Sequence, residues 1–243
     1  MELTAVDYLN GYLDVLTAFI SVLVGILIIK KYFVFKRKEF LLIGIACILV
    51  SEPWWPYLVS FILILLNQAP LSIEAHLFLG YGFIPIIIIC WFMAITEFLY
   101  KEKQKLIVGI FSIYAIIYEI LFLYLLFTDS TQLGTFSESG FLDIEYNVFM
   151  IVNQIIFIIL ILVNGTIFSF HSIKSENPDI KLRGKLLLLA FYSFTIGAAL
   201  DIMSPFSIFT LIFARFLLFS SAFEFYGGFI LPKWMRKLFL GED

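Results

Sequence analysis

Five ionisable side chains sit inside long apolar runs: Glu52, Glu119, Asp201, Arg215 and Glu224, with His76 near the end of another run. Charge at membrane depth is costly and marks either a functional site or a structural pair. Depth can be counted from the ends of the runs at about 1.5 Å per residue. Glu52 and Glu119 then fall near mid-depth, Arg215 slightly outside the centre, and Glu224 in the inner half. Asp201 and His76 fall near the outer ends of their runs. An arginine this deep needs a carboxylate, and Glu52 and Glu119 are at its depth, with Asp201 the next candidate. The cluster can bind a ligand or gate a rearrangement, or it can be a static ion pair that fixes helix packing. Glu224 follows Arg215 by nine residues, half a turn out of phase, so it faces elsewhere and needs its own partner or a proton.

A second group of residues is Glu52-Pro53-Trp54-Trp55-Pro56. Two prolines three apart remove two backbone donors and predict a kink. A kink at membrane depth is tolerated only where it faces protein or a wet cavity. The two tryptophans offer aromatic walls and two N–H donors. The expected ligand site is therefore Glu52, Trp54, Trp55, His76, Asp201 and Arg215, in the outer half of the bundle. A proton or cation path would use Glu52, Glu119, Arg215 and Glu224. Pro85, after Gly80-Tyr81-Gly82-Phe83-Ile84, predicts a second bend. Asn153, Gln154 and Asn164 are amides expected to bond between helices, and Gly197, Ala198 and Ala199 allow close helix contact.

No Ser/His/Asp, HExxH or GxSxG arrangement occurs, and no phosphate-binding glycine loop. The two cysteines, Cys47 and Cys90, lie in apolar runs without a Cys-x-x-Cys pair, and the two histidines form no cluster. Neither an enzyme, a metal site nor a cofactor is expected.

These residues must be carried by helices. The 243 residues are 62% hydrophobic and only 14% charged, against roughly half and a quarter in soluble domains, so lipid is the solvent. The runs are continuous, which predicts an all-α bundle rather than a barrel of alternating strands. Seven spans are expected in a single domain over residues 1–243: 12–29, 40–66, 75–100, 106–127, 148–170, 186–203 and 206–231, the last starting at Pro205. The first span serves as its own insertion signal. Lys30, Lys31, Lys36, Arg37 and Lys38, then Lys101, Lys103 and Lys105, then Lys174, Lys181, Arg183 and Lys185, and finally Lys233, Arg236 and Lys237 alternate onto one side. Glu2, Asp7, Asp14, Glu74, Asp129, Glu138, Asp143 and Glu145 take the other. The positive-inside rule then places the N-terminus outside and the C-terminus in the cytoplasm of a multi-pass cell-membrane protein. The polar segment 128–146 is too short for a fold of its own and is expected to cap the bundle. Glu97 is within reach of Lys101.

The topology resembles G-protein-coupled receptors and microbial rhodopsins only in outline, since span seven holds no lysine and no Asn-Pro-x-x-Tyr motif. Phe223-Glu-Phe-Tyr-Gly-Gly-Phe-Ile-Leu-Pro-Lys-Trp-Met-Arg-Lys237 resembles the end of the N-terminal seven-helix sensor region of prokaryotic histidine kinases. That resemblance implies a sensor, and since no PAS, GAF or kinase segment follows before Asp243, signalling is expected to pass through another polypeptide. The expected protein is thus a receptor-like sensor of a small or lipid-like ligand. Its expected partners are the lipid bilayer, a cytoplasmic signalling protein at the basic loops and a possible second copy of itself, with no nucleic acid. A proton or cation channel or transporter, and a structural assembly protein, are the alternatives.

Overall fold

Long apolar runs fold as helices in lipid because nothing there can pair a bare backbone N–H or C=O. The computed structural model describes residues 4–137, 143–202 and 208–241. The first span is α1 (Ala5–Phe35). The second is split into α2 (Lys38–Leu49) and α3 (Trp55–Leu65) by a single 3-10 turn over Glu52–Trp54. The third is split into α4 (Ile73–Tyr81) and α5 (Ile84–Leu99). Spans four to seven are α6 (Gln104–Thr128), α7 (Val148–Ile173), α8 (Pro178–Ile202) and α9 (Ile208–Ile230), and a short α10 (Lys233–Leu240) follows. Strands β1 (Gly134–Phe136) and β2 (Ile144–Tyr146) pair antiparallel between α6 and α7.

Seven of these segments are long and apolar enough to cross a membrane, as the apolar runs predict. Their outward faces agree: Ile110, Ile113, Ile117, Ile120 and Phe127 of α6 are all exposed, a surface suited to lipid rather than water. One boundary changes the reading of the site. Span one begins at Ala5, not near Tyr12, so Asn10 lies inside the helix as well, one turn before Asp14, which is only 1% exposed. Glu2 and Glu138, and the junction of spans six and seven at Met203, Pro205 and Phe206, lie outside the described residues.

Both proline breaks form, and they face each other. A proline sits in the first turn of the 3-10 segment, of α3 and of α5, where its missing N–H costs nothing. Gly80 lets the broken spans approach: a Cβ there would lie 3.3 Å from Pro56 Cγ and 3.8 Å from Pro53 Cα. Phe83, released from helical pairing at the second break, donates its N–H to Glu52 Oε2 at 3.1 Å. Trp55 Nε1 donates to Ser51 Oγ at 3.0 Å, so the first break is tied within its own span as well.

The basic segments gather at one end. Arg37 lies over the Phe98 ring, 5.1 Å from its centre, and Phe98, Phe168 and Phe229 form a chain of ring contacts across the bundle. Arg183 donates to the carbonyls of Phe229 and Ile230, Arg236 pairs with Asp179, and Glu97 pairs with Lys101. At the opposite, acidic end, Ser130 donates to Glu74, joining the segment before β1 to the start of α4. Cys47 and Cys90 are free thiols packed in the apolar core.

Small residues set the tightest helix crossings. A Cβ on Gly44 would lie 2.8 Å from the Gly25 carbonyl oxygen, and one on Gly197 3.1 Å from that of Ala214. Gly109 of α6 has open space within 4 Å. Gly44→Leu should therefore lower stability by at least about 1–3 kcal/mol. Gly109→Ala should be neutral or raise it by up to about 1 kcal/mol. Thermal unfolding of both variants in nanodiscs checks the contrast, and equal melting temperatures would refute the α1–α2 crossing.

Candidate functional site

Arg215 of α9 is 4% exposed and lies among groups from three other spans. Its Nη2 is 2.8 Å from Asp14 Oδ1 and 3.4 Å from Asp201 Oδ1, and it donates to Asn10 Oδ1 at 3.2 Å. The Asp14 contact is a close ion pair outside the angular range of a directed hydrogen bond. Asp201, at the end of α8, also accepts from Trp54 Nε1 at 2.8 Å, and Arg215 lies 5.8 Å from the centre of the Trp54 ring. One guanidinium thus joins α1, α8, α9 and the break in the second span. The expected pairing of Arg215 with Glu52 or Glu119 does not occur. The next candidate, Asp201, is a partner; residue counting gave depth but not direction, and Asp14, within the expected first span, was grouped with the acidic residues of the outer side.

A cavity of about 90 Å³ opens beside the break, lined by Glu52, Trp54, Tyr57, Tyr81, Tyr146 and Gln154, with Phe194 and Asp201. A second, of about 140 Å³, reaches toward the acidic end between Asn10, Asp143, Glu145 and Arg215. The two share Tyr57, Tyr146, Asp201 and Ile202. A third, of about 40 Å³, lies among Trp91, Phe92, Phe191 and Phe225 and shares Val50, Ile87, Phe157 and Phe194 with the first. Polarity therefore falls along the column, from charged at the acidic end to wholly apolar inside.

The hairpin caps this column, as expected of segment 128–146. Tyr146 of β2 accepts from the Tyr81 hydroxyl at 2.8 Å and lies 3.3 Å from that of Tyr57. Burial raises the Tyr146 hydroxyl above its ordinary range, so it stays protonated. Burial, then the like charges of Asp7 and Asp201, raise Asp143 above the usual carboxylate range.

Of the six residues expected to hold a ligand, Glu52, Trp54 and Asp201 line the first cavity and Arg215 lines the second. Trp55 and His76 line neither. Trp55 braces the break through Ser51, and His76 packs edge-on against Tyr57, 4.6 Å between ring centres. The residues of the expected ion path do not share a cavity. Glu119 is half-buried on α6, and Glu224 accepts from Ser220 on its own helix at 2.6 Å. Asn153 makes the expected bond between helices, accepting from Tyr114 at 2.9 Å. Asn164 instead donates to its own helix, at the Leu160 carbonyl. Sequence reasoning missed Asn10, Asp14, Tyr57, Tyr81 and Tyr146. A signal for the first two was present: Asn10, Asp14, Thr17 and Ser21 recur at helical spacing as one polar stripe on an apolar helix.

The fold and this internal polar column define a multi-pass helical membrane protein of seven spans. The chain matches no protein-family model, no curated protein and no solved structure.

Removing one partner of a buried ion pair strands the other. Arg215→Gln should cost about 3–5 kcal/mol. The double variant Asp14→Asn/Arg215→Gln should recover part of that loss, a coupling readable in a double-mutant cycle of unfolding in detergent. Strictly additive losses would show that the pair contributes no interaction energy.

Proposed function

We propose that this protein is a seven-helix membrane sensor, receptor-like in action, with its N-terminus outside and its C-terminus in the cytoplasm. It holds a small or lipid-like ligand in the cavity at the broken second span and passes a change of shape to a separate partner at the basic end. One observation carries this reading: the cavity wall is built from the groups that hold the break together. Trp54 lines the cavity while bonding Asp201, and Glu52 lines it while capping Phe83.

A ligand that engages Glu52 or displaces the Trp54 ring competes with both contacts. The two breaks are then free to re-angle, since each already lacks continuous helical pairing. From the breaks, α2 and α5 run to the basic end; the 12 residues of α2 span about 18 Å. A small change of angle at the cavity becomes a displacement of Arg37 and Lys101, where a partner would read it. The resemblance of residues 223–237 to the last helix of histidine-kinase sensor regions supports the same direction of signal. The basic clusters support the orientation through the positive-inside rule.

Orientation is checked by single cysteines and a membrane-impermeant maleimide on intact cells, in a background where Cys47 and Cys90 are serine. Thr135→Cys at the hairpin should label, and Glu176→Cys between α7 and α8 should label only after lysis. The reverse pattern would invert the topology. Ligand occupancy is checked by native mass spectrometry of protein released from its own membranes. A small non-covalent adduct is expected, lost in Ala198→Phe, which fills the cavity. An adduct retained in that variant would place the ligand elsewhere.

A further inference from the structure

Resting on the sensor reading, we propose that the ligand is an organic ammonium ion, its head bonded to Glu52 and Gln154 and its apolar substituent directed into the chamber beneath. Charge is the first argument. Among the described residues lining the two polar cavities are Glu52, Asp201, Asp143 and Glu145, against one basic side chain, Arg215. That guanidinium is paired with Asp14 and Asp201 and makes no ion pair with Glu52. A carboxylate that stays ionised at this depth needs a cation beside it.

Unmade hydrogen bonds are the second argument, independent of the first. Glu52 is 1% exposed and Gln154 6% exposed, and both line the cavity. Glu52 Oε1 and both amide atoms of Gln154 have no hydrogen-bond partner among the described residues. Buried polar atoms in native proteins are nearly always paired, so an unpaired acceptor beside a cavity points to a donor that occupies it. Asp201 does not compete for that donor, because both its oxygens are engaged, by Trp54 and by Arg215. The carboxylate Oε1 of Glu52 and the amide Oε1 of Gln154 are two acceptors suited to N–H groups of one ammonium head; the Gln154 Nε2 donor takes no part in that contact.

Shape is the third. Trp54, Tyr57, Tyr81, Tyr146 and Phe194 give the cavity aromatic walls, which attract a cation over their faces. A cavity of about 90 Å³ has room for a small head group. Beneath it, Phe157 and Phe194 open onto the apolar chamber at Trp91 and Phe191, which accepts an alkyl or aryl tail. An anion fits this site poorly. Nε and Nη1 of Arg215 are unpaired among the described residues, but an anion reaching them would lie beside Asp143 and Glu145. The ammonium group could arrive as a free amine or as the head of an aminated lipid.

The test uses full-length protein in phosphatidylglycerol nanodiscs, titrated with hexylammonium, hexanol and hexanoate and read by tryptophan fluorescence and thermal shift. Hexylammonium should saturate and stabilise, while the neutral and anionic isosteres bind at least about tenfold more weakly. Glu52→Gln should weaken hexylammonium by about tenfold. If that variant does not fold, Gln154→Leu should weaken it in the same direction. Equal binding of hexanol and hexylammonium, unaffected by Glu52→Gln, would overturn the ammonium class while leaving the cavity reading intact; preference for hexanoate would overturn it too. Hexylammonium binding that survives Ala198→Phe would overturn the cavity reading itself, and no saturable binding in either lipid would overturn the proposal. Replacing the lipid with phosphatidylethanolamine separates the sources: unchanged hexylammonium affinity supports a free amine, and competition by the lipid supports its headgroup.

Discussion

A guanidinium buried in an apolar bundle must find its counter-charge within the protein, and Arg215 finds two, Asp14 and Asp201. That requirement fixes much of the architecture. It draws α1, α8 and α9 together at one depth, and through Trp54 it fastens the 3-10 turn of the second span to the end of α8. Breaking such a pair is far more costly than its net contribution to stability, because each ion has already left water. Through these contacts one side chain ties together four segments of the chain.

The two proline breaks obey the same rule for the backbone. Lipid tolerates no bare N–H, so a broken span has to turn its break toward protein. Here the breaks of spans two and three turn toward each other, made possible by Gly80 against Pro56 and closed by Glu52 on the Phe83 N–H. Glu52 therefore has two demands on it. One oxygen holds the third span, and the other faces the cavity without a partner among the described residues. The wall of the cavity and the closure of the break thus share the same side chain.

Polarity grades along the internal column from Asp143 and Glu145, past the tyrosines and Glu52, to Trp91 and Phe191. The β1–β2 hairpin closes its polar end through Tyr146, while α6 and α7 present apolar faces outward. Polar chemistry is thus confined to the bundle interior, as the solvent demands.

The seven spans, the gathering of basic segments at one end and both helix breaks were legible in the sequence, because hydrophobic run length, lysine spacing and proline are local signals that lipid leaves no freedom to override. Glu52, Trp54, Asp201 and Arg215 were legible as members of the buried polar column for the same reason: charge and indole N–H groups in such runs need partners. Partnership itself was not. Whether Arg215 meets Glu52 or Asp14 depends on the rotation of each helix and on which spans are neighbours, and residue counting supplies only depth. The tyrosine cluster at Tyr146 was hidden too, since its members come from a loop and two different spans. Sequence alone determined how many helices there are, which end is basic and where they break; only tertiary structure decided who faces whom, because close packing of small residues such as Gly25, Gly44 and Gly197 sets the helix rotations that complete the charged knot and leave the cavity beside it.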